Sequence, residues 1–338
     1  MSFEIAENVS LKEFNTFGVD AKAAKFFSFI DEDDLAEFIG SGLSQENVFV
    51  LGGGSNVLFA GNFEGLIIHP VNKGIRVLDE TEVCTVVEVA AGEVWDDFVN
   101  WAVEKRLYGI ENLSAIPGSV GAVPVQNIGA YGDEVRNVIK LVKGIEIATG
   151  KPVSYLNYEC RFGYRDSIFK NELKSKVVIT SVIFSLSKIK NLNLNYADLV
   201  NYFGNNCNPE LSEVREAVCK IRDSKLPDYK LIGNAGSFFK NPVVLKTELE
   251  DILCKFPEVR YFDYTTHFVK LAAGWLIDQC GFKGFQKGRA GVHKNQALVL
   301  INLGGAEGKE IISLADEVRQ KVKDKFGVEL EYEVNILP

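Results

Sequence analysis

Histidine is scarce in this 338-residue sequence: His69, His267 and His293 stand apart, with no two at helical spacing and no carboxylate motif beside them. A histidine-built metal centre or a serine–histidine–aspartate triad therefore has little to work with, and no metal site is expected. The six cysteines, Cys84, Cys160, Cys207, Cys219, Cys254 and Cys280, are scattered without the short paired spacing of zinc sites. No run approaches the ~18 consecutive apolar residues that cross a bilayer. Residues Met1 to Ser10 carry Glu4 and Glu7 and no basic region, so the expectation is a cytoplasmic protein with no membrane insertion. Basic excess is missing too: 37 Lys and Arg against 46 Asp and Glu leave a net charge of -9, which argues against nucleic acid or anionic lipid as a partner. What is present is ordinary globular material, 46% hydrophobic and 25% charged, enough for a sizeable core. At roughly 100–200 residues per domain, the length predicts two or three domains. No solenoid period or low-complexity tract interrupts it.

The pattern along the chain alternates strands and helices. Val48–Leu51 and Val57–Phe59 read as strands around the glycine run Gly52–Asn56, and Thr85–Ala91 reads as a strand feeding a helix whose inner face is Trp95, Phe98, Val99 and Ala102. Residues 116–132 are too rich in glycine and proline for a helix. Val177–Leu186 is a strand, and Asn208, Pro209 and Glu210 start a helix burying Leu211, Val214, Val218 and Ile221. Ile311, Ala315, Val318, Val322 and Phe326 predict a last helix ended by Gly327. A strand should follow, in which Val328, Leu330, Tyr332 and Val334 alternate with Glu329, Glu331 and Glu333, placing three carboxylates on one solvated face.

Chemistry has few places to sit. Gly52–Asn56 has neither the lysine ending of a phosphate-binding P-loop nor the spacing and following helix of a dinucleotide fingerprint. Two readings stay open for it: a tight turn, or a main-chain cradle whose N–H groups approach a pyrophosphate without any basic side chain. The small, uncharged run at 116–132 favours a flat ligand against main chain. Arg161 and Arg165, four apart, would share a face if helical and could hold a carboxylate or phosphate, although a surface helix start with Asp166 and Ser167 is the commoner explanation of such a pair. Ser237 lies outside any nucleophile elbow and has no histidine close in sequence, which argues against an acyl-transfer nucleophile and leaves proton delivery by its hydroxyl open. These patterns describe an α/β enzyme with glycine-lined anion sites.

Six ordered motifs carry a resemblance: GGGSNVL at 52–58, IPGSVGAVPVQNIGAYG at 116–132, YRDSIFK at 164–170, GNAGSFFKNP at 233–242, AAGWLIDQCGFKG at 272–284 and AGVHKNQALVLIN at 290–302. Together they closely resemble the UDP-N-acetylenolpyruvoylglucosamine reductase family, from Asn15 through Glu333. The resemblance implies an α+β architecture: an FAD-binding fold of the vanillyl-alcohol oxidase (PCMH) type in two lobes, plus a C-terminal α+β substrate-binding domain. The implied boundaries are 1–75 for the first lobe, with 327–338 returning to it, 76–227 for the second lobe and 228–326 for the substrate domain. The implied activity is reduction of the enolpyruvyl ether of UDP-N-acetylglucosamine to UDP-N-acetylmuramate, a cytoplasmic step of peptidoglycan synthesis, with NADPH as reductant, noncovalent FAD and a small-molecule UDP-sugar substrate. The protein is expected to act as a monomer. An FAD-dependent alcohol or sugar oxidase of the same fold is the alternative, and a nucleotide-sugar binder without turnover is a third.

The same resemblance assigns residues. Gly52, Gly53, Gly54, Ser55 and Asn56 would cradle the FAD pyrophosphate, while Ile116, Pro117, Gly118, Ser119, Gly121, Gln126, Asn127, Gly129 and Ala130 would lie along the rest of the cofactor. His69 is expected to be structural. Arg165 would stabilise charge developing on the substrate carboxylate, Ser237 would deliver the proton and Glu333 would assist. Tyr131, Tyr196, Lys225, Asn241 and Gln296 match positions that contact UDP-sugar or nicotinamide nucleotide. Tyr196–Leu199 resembles the tyrosine loop of one subtype, with Ala197 where glycine is usual. Tyr332 stands where proline commonly separates the two glutamates, so Glu331 and Glu333 remain open as the one that faces the flavin.

Overall fold

The computed structural model describes residues 5–41, 47–204 and 208–338; Met1 to Glu4 and Cys207 lie outside them. The chain divides into two compact units, Met1–Val9, Ala23–Gly53 and Glu64–Ser224 in one, Ser10–Lys22, Gly54–Phe63 and Lys225–Pro338 in the other.

In the first unit, period-two burial builds two sheets. Strands Ala6–Ser10, Lys22–Phe29, Phe63–Pro70 and Val48–Val50 form one in that order, with the last two parallel. Helix Glu32–Gly40 covers it. Asp31 starts that helix by accepting a hydrogen bond from the Asp34 N–H at 2.8 Å, and Leu35 and Phe38 pack against Phe27, Phe29 and Ile68. The second sheet is antiparallel throughout, in the order Pro152–Leu156, Ile139–Glu146, Val177–Ser187, Cys84–Ala90, Ile75–Glu80. Val177–Ser187 is central and buried along nearly its whole length, which is why it reads as a continuous apolar run. Helix Trp95–Glu104 lays Trp95, Phe98, Val99 and Ala102 on this sheet, as its spacing predicts, and the Trp95 indole N–H donates to the Leu113 carbonyl at 2.9 Å.

The second unit is built on helix Gly308–Phe326, whose Ile311, Leu314, Ala315, Val318, Val322 and Phe326 are buried. Its end is Gly327, at φ 71°, whose N–H donates to the Lys323 carbonyl at 2.8 Å. Strands Gly233–Ser237, Val299–Asn302, Ala290–Val292 and Gln286–Lys287 pair antiparallel, and Val243–Leu245, Phe268–Leu271 and Tyr261–Asp263 make a three-stranded sheet. Asn335–Leu337 pairs parallel with Val57–Phe59.

The strand expected straight after Gly327 does not form. Residues 328–334 make only one isolated bridge, Phe239 to Tyr332, and a bend at Val334 precedes Asn335–Leu337. Alternation therefore fails at its end: Glu333 and Val334 are both buried, and the three glutamates do not share a face. The arginine pair also departs from expectation. Arg161, at φ 46°, and Arg165, at φ 54°, sit in turns, so no helix aligns them.

Candidate functional site

Within the first unit, two glycine-bearing loops meet main chain to main chain. A Cβ on Gly53 would stand 2.8 Å from Gly118 Cα, and one on Gly52 would stand 2.3 Å from Ser119 Oγ. The 116–122 loop is pinned by Trp95 N–H to Gly118 O (3.0 Å), Val120 N–H to Glu93 O (2.9 Å) and Gly121 N–H to Ala91 O (2.9 Å). Ser119 is buried, and among the described residues its hydroxyl has no hydrogen-bond partner. A buried hydroxyl with none costs stability, so such a group is a natural ligand contact. Ile116, Pro117, Gly118 and Gly121 beside it are half-buried.

The expected cofactor residues do not all keep their side chains for a ligand. Asn127 spends its amide inside the protein, donating to Glu134 Oε2 (3.0 Å) and Gly163 O (2.9 Å) and accepting from Arg136 N–H (3.1 Å). In the second unit, Gly54 at φ 62° would put a Cβ 1.9 Å from Phe14 O, so only glycine fits. There Asn56 Nδ2 donates to the Glu333 carbonyl at 3.2 Å, and the Asn56 carbonyl accepts from Asn335 N–H at 3.0 Å. Gln126, Gly129 and Ala130 are half-buried, the last two in a short hairpin with Asp133 and Glu134. His69 Nδ1 lies 2.6 Å from Leu51 O in a buried setting that pushes its pKa down.

Arg165 lies against that hairpin: a Cβ on Gly129 would be 3.4 Å from its Nη1. The Gly163–Asp166 turn holds its backbone, with Gly163 N–H donating to Asp166 O at 2.9 Å and Lys170 Nζ donating to Arg165 O at 3.2 Å. Arg161 is directed elsewhere. It is exposed and paired with Glu172 at 2.6 Å, so the two arginines do not form one anion site.

Tyr131 and Tyr196 meet edge to face with ring centroids 5.4 Å apart. Burial raises the Tyr131 phenol to about 12, and the neighbouring Arg222 cation opposes that rise. Arg222 went unnoticed in the sequence, as did the clamp that holds this corner. The Asn112 amide donates to Tyr131 O (3.1 Å), Asp133 Oδ2 (2.7 Å) and Asn193 O (2.7 Å). Burial pushes the Asp133 carboxyl up against the opposing bonds from Asn193 and Asn112. One signal was available: Arg215 and Arg222 are seven apart on helix Leu211–Lys225, hence two turns along one face, and Arg215 is engaged in a bidentate pair with Asp96 at 2.6 and 2.9 Å. Beyond Tyr196 the tyrosine segment is helical, Ala197–Phe203, with Leu199 buried.

In the second unit, Ser237 ends a bulged strand. Gly236 takes φ 67°, the Asn234 side chain accepts from its N–H at 3.0 Å, and the register against Val299–Asn302 slips between Asn234 and Ser237. Ser237 is half-buried, while Phe238 and Phe239 beyond it are fully packed. Glu333 lies along the same segment, its N–H donating to Phe238 O at 2.9 Å. It is 9% exposed, whereas the Glu331 side chain is 75% exposed and paired with Lys240. Glu333 is thus the enclosed carboxylate of the two. Asn241 and Gln296 come together at the start of helix Ala273–Gln279: Asn241 Oδ1 accepts from Ala273 N–H at 3.0 Å, and a Cβ on Gly274 would reach Gln296 Oε1 at 2.9 Å. Lys225, half-buried, begins the last segment of this unit.

Residues 29–153 match a family model described as an FAD binding domain, and residues 227–337 match the C-terminal domain of UDP-N-acetylenolpyruvoylglucosamine reductase. The chain is 46% identical to the UDP-N-acetylenolpyruvoylglucosamine reductase of Flavobacterium johnsoniae over 337 residues, covering 99% of this chain and 100% of that one. It is 46% identical to the enzyme of that name from Chromobacterium violaceum, over the whole of both chains. Among solved structures it resembles UDP-N-acetylenolpyruvylglucosamine reductase (MurB) from Thermus caldophilus, with a TM-score of 0.68 and 22% identity over all of both chains, a likeness of fold. The expected α+β architecture, an FAD-binding fold followed by a C-terminal domain, agrees with these matches, and the chain belongs to the UDP-N-acetylenolpyruvoylglucosamine reductase family.

Proposed function

We propose that this protein reduces the enolpyruvyl ether of UDP-N-acetylglucosamine to UDP-N-acetylmuramate, using FAD and NADPH. The observation that carries the reading is membership of the reductase family over essentially the full length of the chain. The residues fit the flavin: the Gly53 and Gly118 main chains approach too closely for a Cβ on Gly53, and Ser119 offers a buried hydroxyl with no partner among the described residues. We assign Gly52–Asn56, Ile116–Ser119, Gly121, Gln126, Asn127, Gly129 and Ala130 to FAD. For Asn127 and Asn56 the contact would be through main chain, since their amides are engaged.

When bound, FAD supplies a carrier that takes hydride from NADPH and passes it to the outer carbon of the enolpyruvyl double bond. The protein must then deal with charge on the adjacent carbon and its carboxylate. Arg165 supplies a permanently protonated, planar partner for that carboxylate, fixed by its turn before substrate arrives. Ser237 supplies the proton. Geometry matters more than intrinsic acidity when the acceptor is a strong carbon base. Glu333 is held by main-chain bonds on both its N–H and its carbonyl, which suits an orienting role at the same step. Tyr131, Tyr196, Lys225, Asn241 and Gln296 are assigned to the UDP-sugar and nicotinamide nucleotide, with Lys225 as a phosphate partner and Tyr196 belonging to the tyrosine-loop subtype. Residues 228–326 form the substrate domain in this reading, and the protein acts as a cytoplasmic monomer.

The test is anaerobic. NADPH should bleach the bound flavin, and the enolpyruvyl substrate should restore its colour without oxygen. Reoxidation by oxygen alone, with the sugar inert, would replace this reading by the oxidase alternative.

A further inference from the structure

The segment after Gly327 has almost no ladder to hold its register. One bridge, Phe239 to Tyr332, and the two main-chain bonds around it, Lys240 N–H to Glu331 O and Glu333 N–H to Phe238 O, each 2.9 Å, fix which residue lies opposite which. A slip of one residue in an extended segment turns every side chain over and would carry Glu333 out of its enclosed position, and a slip of two would put the exposed Glu331 there instead. The exposed Glu331–Lys240 pair is too solvated to hold the register alone.

Tyr332 is better placed to hold it. Its ring packs edge-on against Phe238 at 5.5 Å and tilted against Phe239 at 5.6 Å. Its phenol donates to the Asp316 carboxylate. The Arg319 guanidinium lies 4.6 Å from the ring centroid, 3.5 Å from Asp316, and its Nε donates to Leu330 O at 2.9 Å. Asp316 and Arg319 are three apart, on one face of the rigid helix Gly308–Phe326. Burial, then the Asp316 bond, raises the phenol pKa, so it keeps the donated proton at neutral pH.

We infer that Tyr332, clamped by Asp316 and Arg319, is a positioning residue that sets Glu333 beside the Ser237 segment. The inference rests on the proposed role of Glu333. It concerns only the half-reaction with the sugar, since reduction by NADPH needs no proton delivered to carbon.

The experiment is a double-mutant cycle read by anaerobic stopped flow, with rates per bound flavin. Tyr332→Phe keeps the packing and loses one hydrogen bond, so it should slow reoxidation by the enolpyruvyl substrate about 3- to 10-fold, the range of one partly buried bond, and leave reduction by NADPH unchanged. Asp316→Asn should do the same, while Tyr332→Leu, which loses the ring, should cost more. In a Glu333→Gln background, Tyr332→Phe should have no further effect. If Tyr332→Phe slows both half-reactions equally, or adds its full effect to Glu333→Gln, the positioning role is wrong and the role of Glu333 stands. If Glu333→Gln itself leaves reoxidation unchanged, the Glu333 reading fails and the inference falls with it.

Discussion

Gly53→Ala is the sharpest perturbation of the proposed cradle. The added methyl would sit 2.8 Å from Gly118 Cα and 3.2 Å from its carbonyl carbon, both main-chain atoms pinned by the Trp95 N–H bond to Gly118 O. Neither can rotate away, so the two loops must part. Overpacking of this kind costs about 1–3 kcal/mol. If the strain falls on the cofactor-binding geometry, at ~1.4 kcal/mol per decade the FAD dissociation constant should rise roughly 5- to 150-fold. Gly52→Ala is predicted to be milder, although its shortest contact is 2.3 Å, because the atom struck is the Ser119 hydroxyl, which can turn, and Ser119→Ala should partly relieve it. Gly61→Ala is the control, since nothing lies within 4 Å of its Cβ position. The assay is quenching of flavin fluorescence on titrating FAD into stripped protein, with thermal unfolding of the same samples alongside. An unchanged FAD affinity in Gly53→Ala, with only stability lowered, would show the close approach to be packing rather than a cradle.

Ser237→Ala should leave flavin reduction by NADPH intact and slow reoxidation by the sugar about 10²- to 10⁴-fold, the range for a lost general acid; equal loss in both halves, by stopped flow, would contradict the assignment. Asn112→Ala frees the Tyr131 turn from Asp133 and the 193 segment, and should raise KM for the UDP-sugar about tenfold, the scale of ~1.4 kcal/mol, with flavin content unchanged; an unaltered KM in steady-state assays would refute that link. Burial pushes the Glu88 carboxyl up, yet Lys143, Arg76 and Ser181 outweigh it and hold the pKa at about 2 against an ordinary 4.5. Its stabilisation is therefore present above the unfolded value and lost as pH falls from about 4.5 toward 2. Glu88→Gln should cost about 1–2 kcal/mol at pH 7 after allowance for solvent screening and flatten the acid limb of urea unfolding; parallel pH curves for the two proteins would sink the argument.

Much of the framework was legible because local pattern and tertiary burial agree. The helix ending at Phe326 and Gly327 shows this well: its three- and four-residue spacing is the buried face, and glycine takes the left-handed turn that an L side chain avoids. The antiparallel strand Val177–Ser187 was equally plain, since burial on both faces makes an unbroken apolar run. Arg161 and Arg165 misled for the opposite reason. Spacing of four suggests a shared face only if the backbone is helical; each arginine instead sits at a left-handed turn of its own, with the Arg161 guanidinium paired to Glu172 and that of Arg165 beside Gly129.

The glutamates near the C-terminus show where periodicity stops being informative. Alternation over 328–334 treats every residue as part of one pleat, and on that assumption Glu329, Glu331 and Glu333 are equivalent. In the folded protein they are not, because extended geometry persists only as far as something pairs with it. Glu329 turns back to Lys323 on the preceding helix, Glu331 reaches Lys240 in solvent, and the bend at Val334 draws Glu333 inward as the chain enters its parallel pairing with Val57–Phe59. What separates one glutamate from its neighbours is thus a partner strand more than 270 positions away and an aromatic clamp between helix and loop. Neither is encoded in the local alternation. The same reasoning explains why Tyr332 stood out in the sequence only as a residue in a proline position and not as a clamp: its contribution exists only when Phe238, Phe239, Asp316 and Arg319 surround it, and those four come from two segments whose separate patterns announce nothing but core and helix surface.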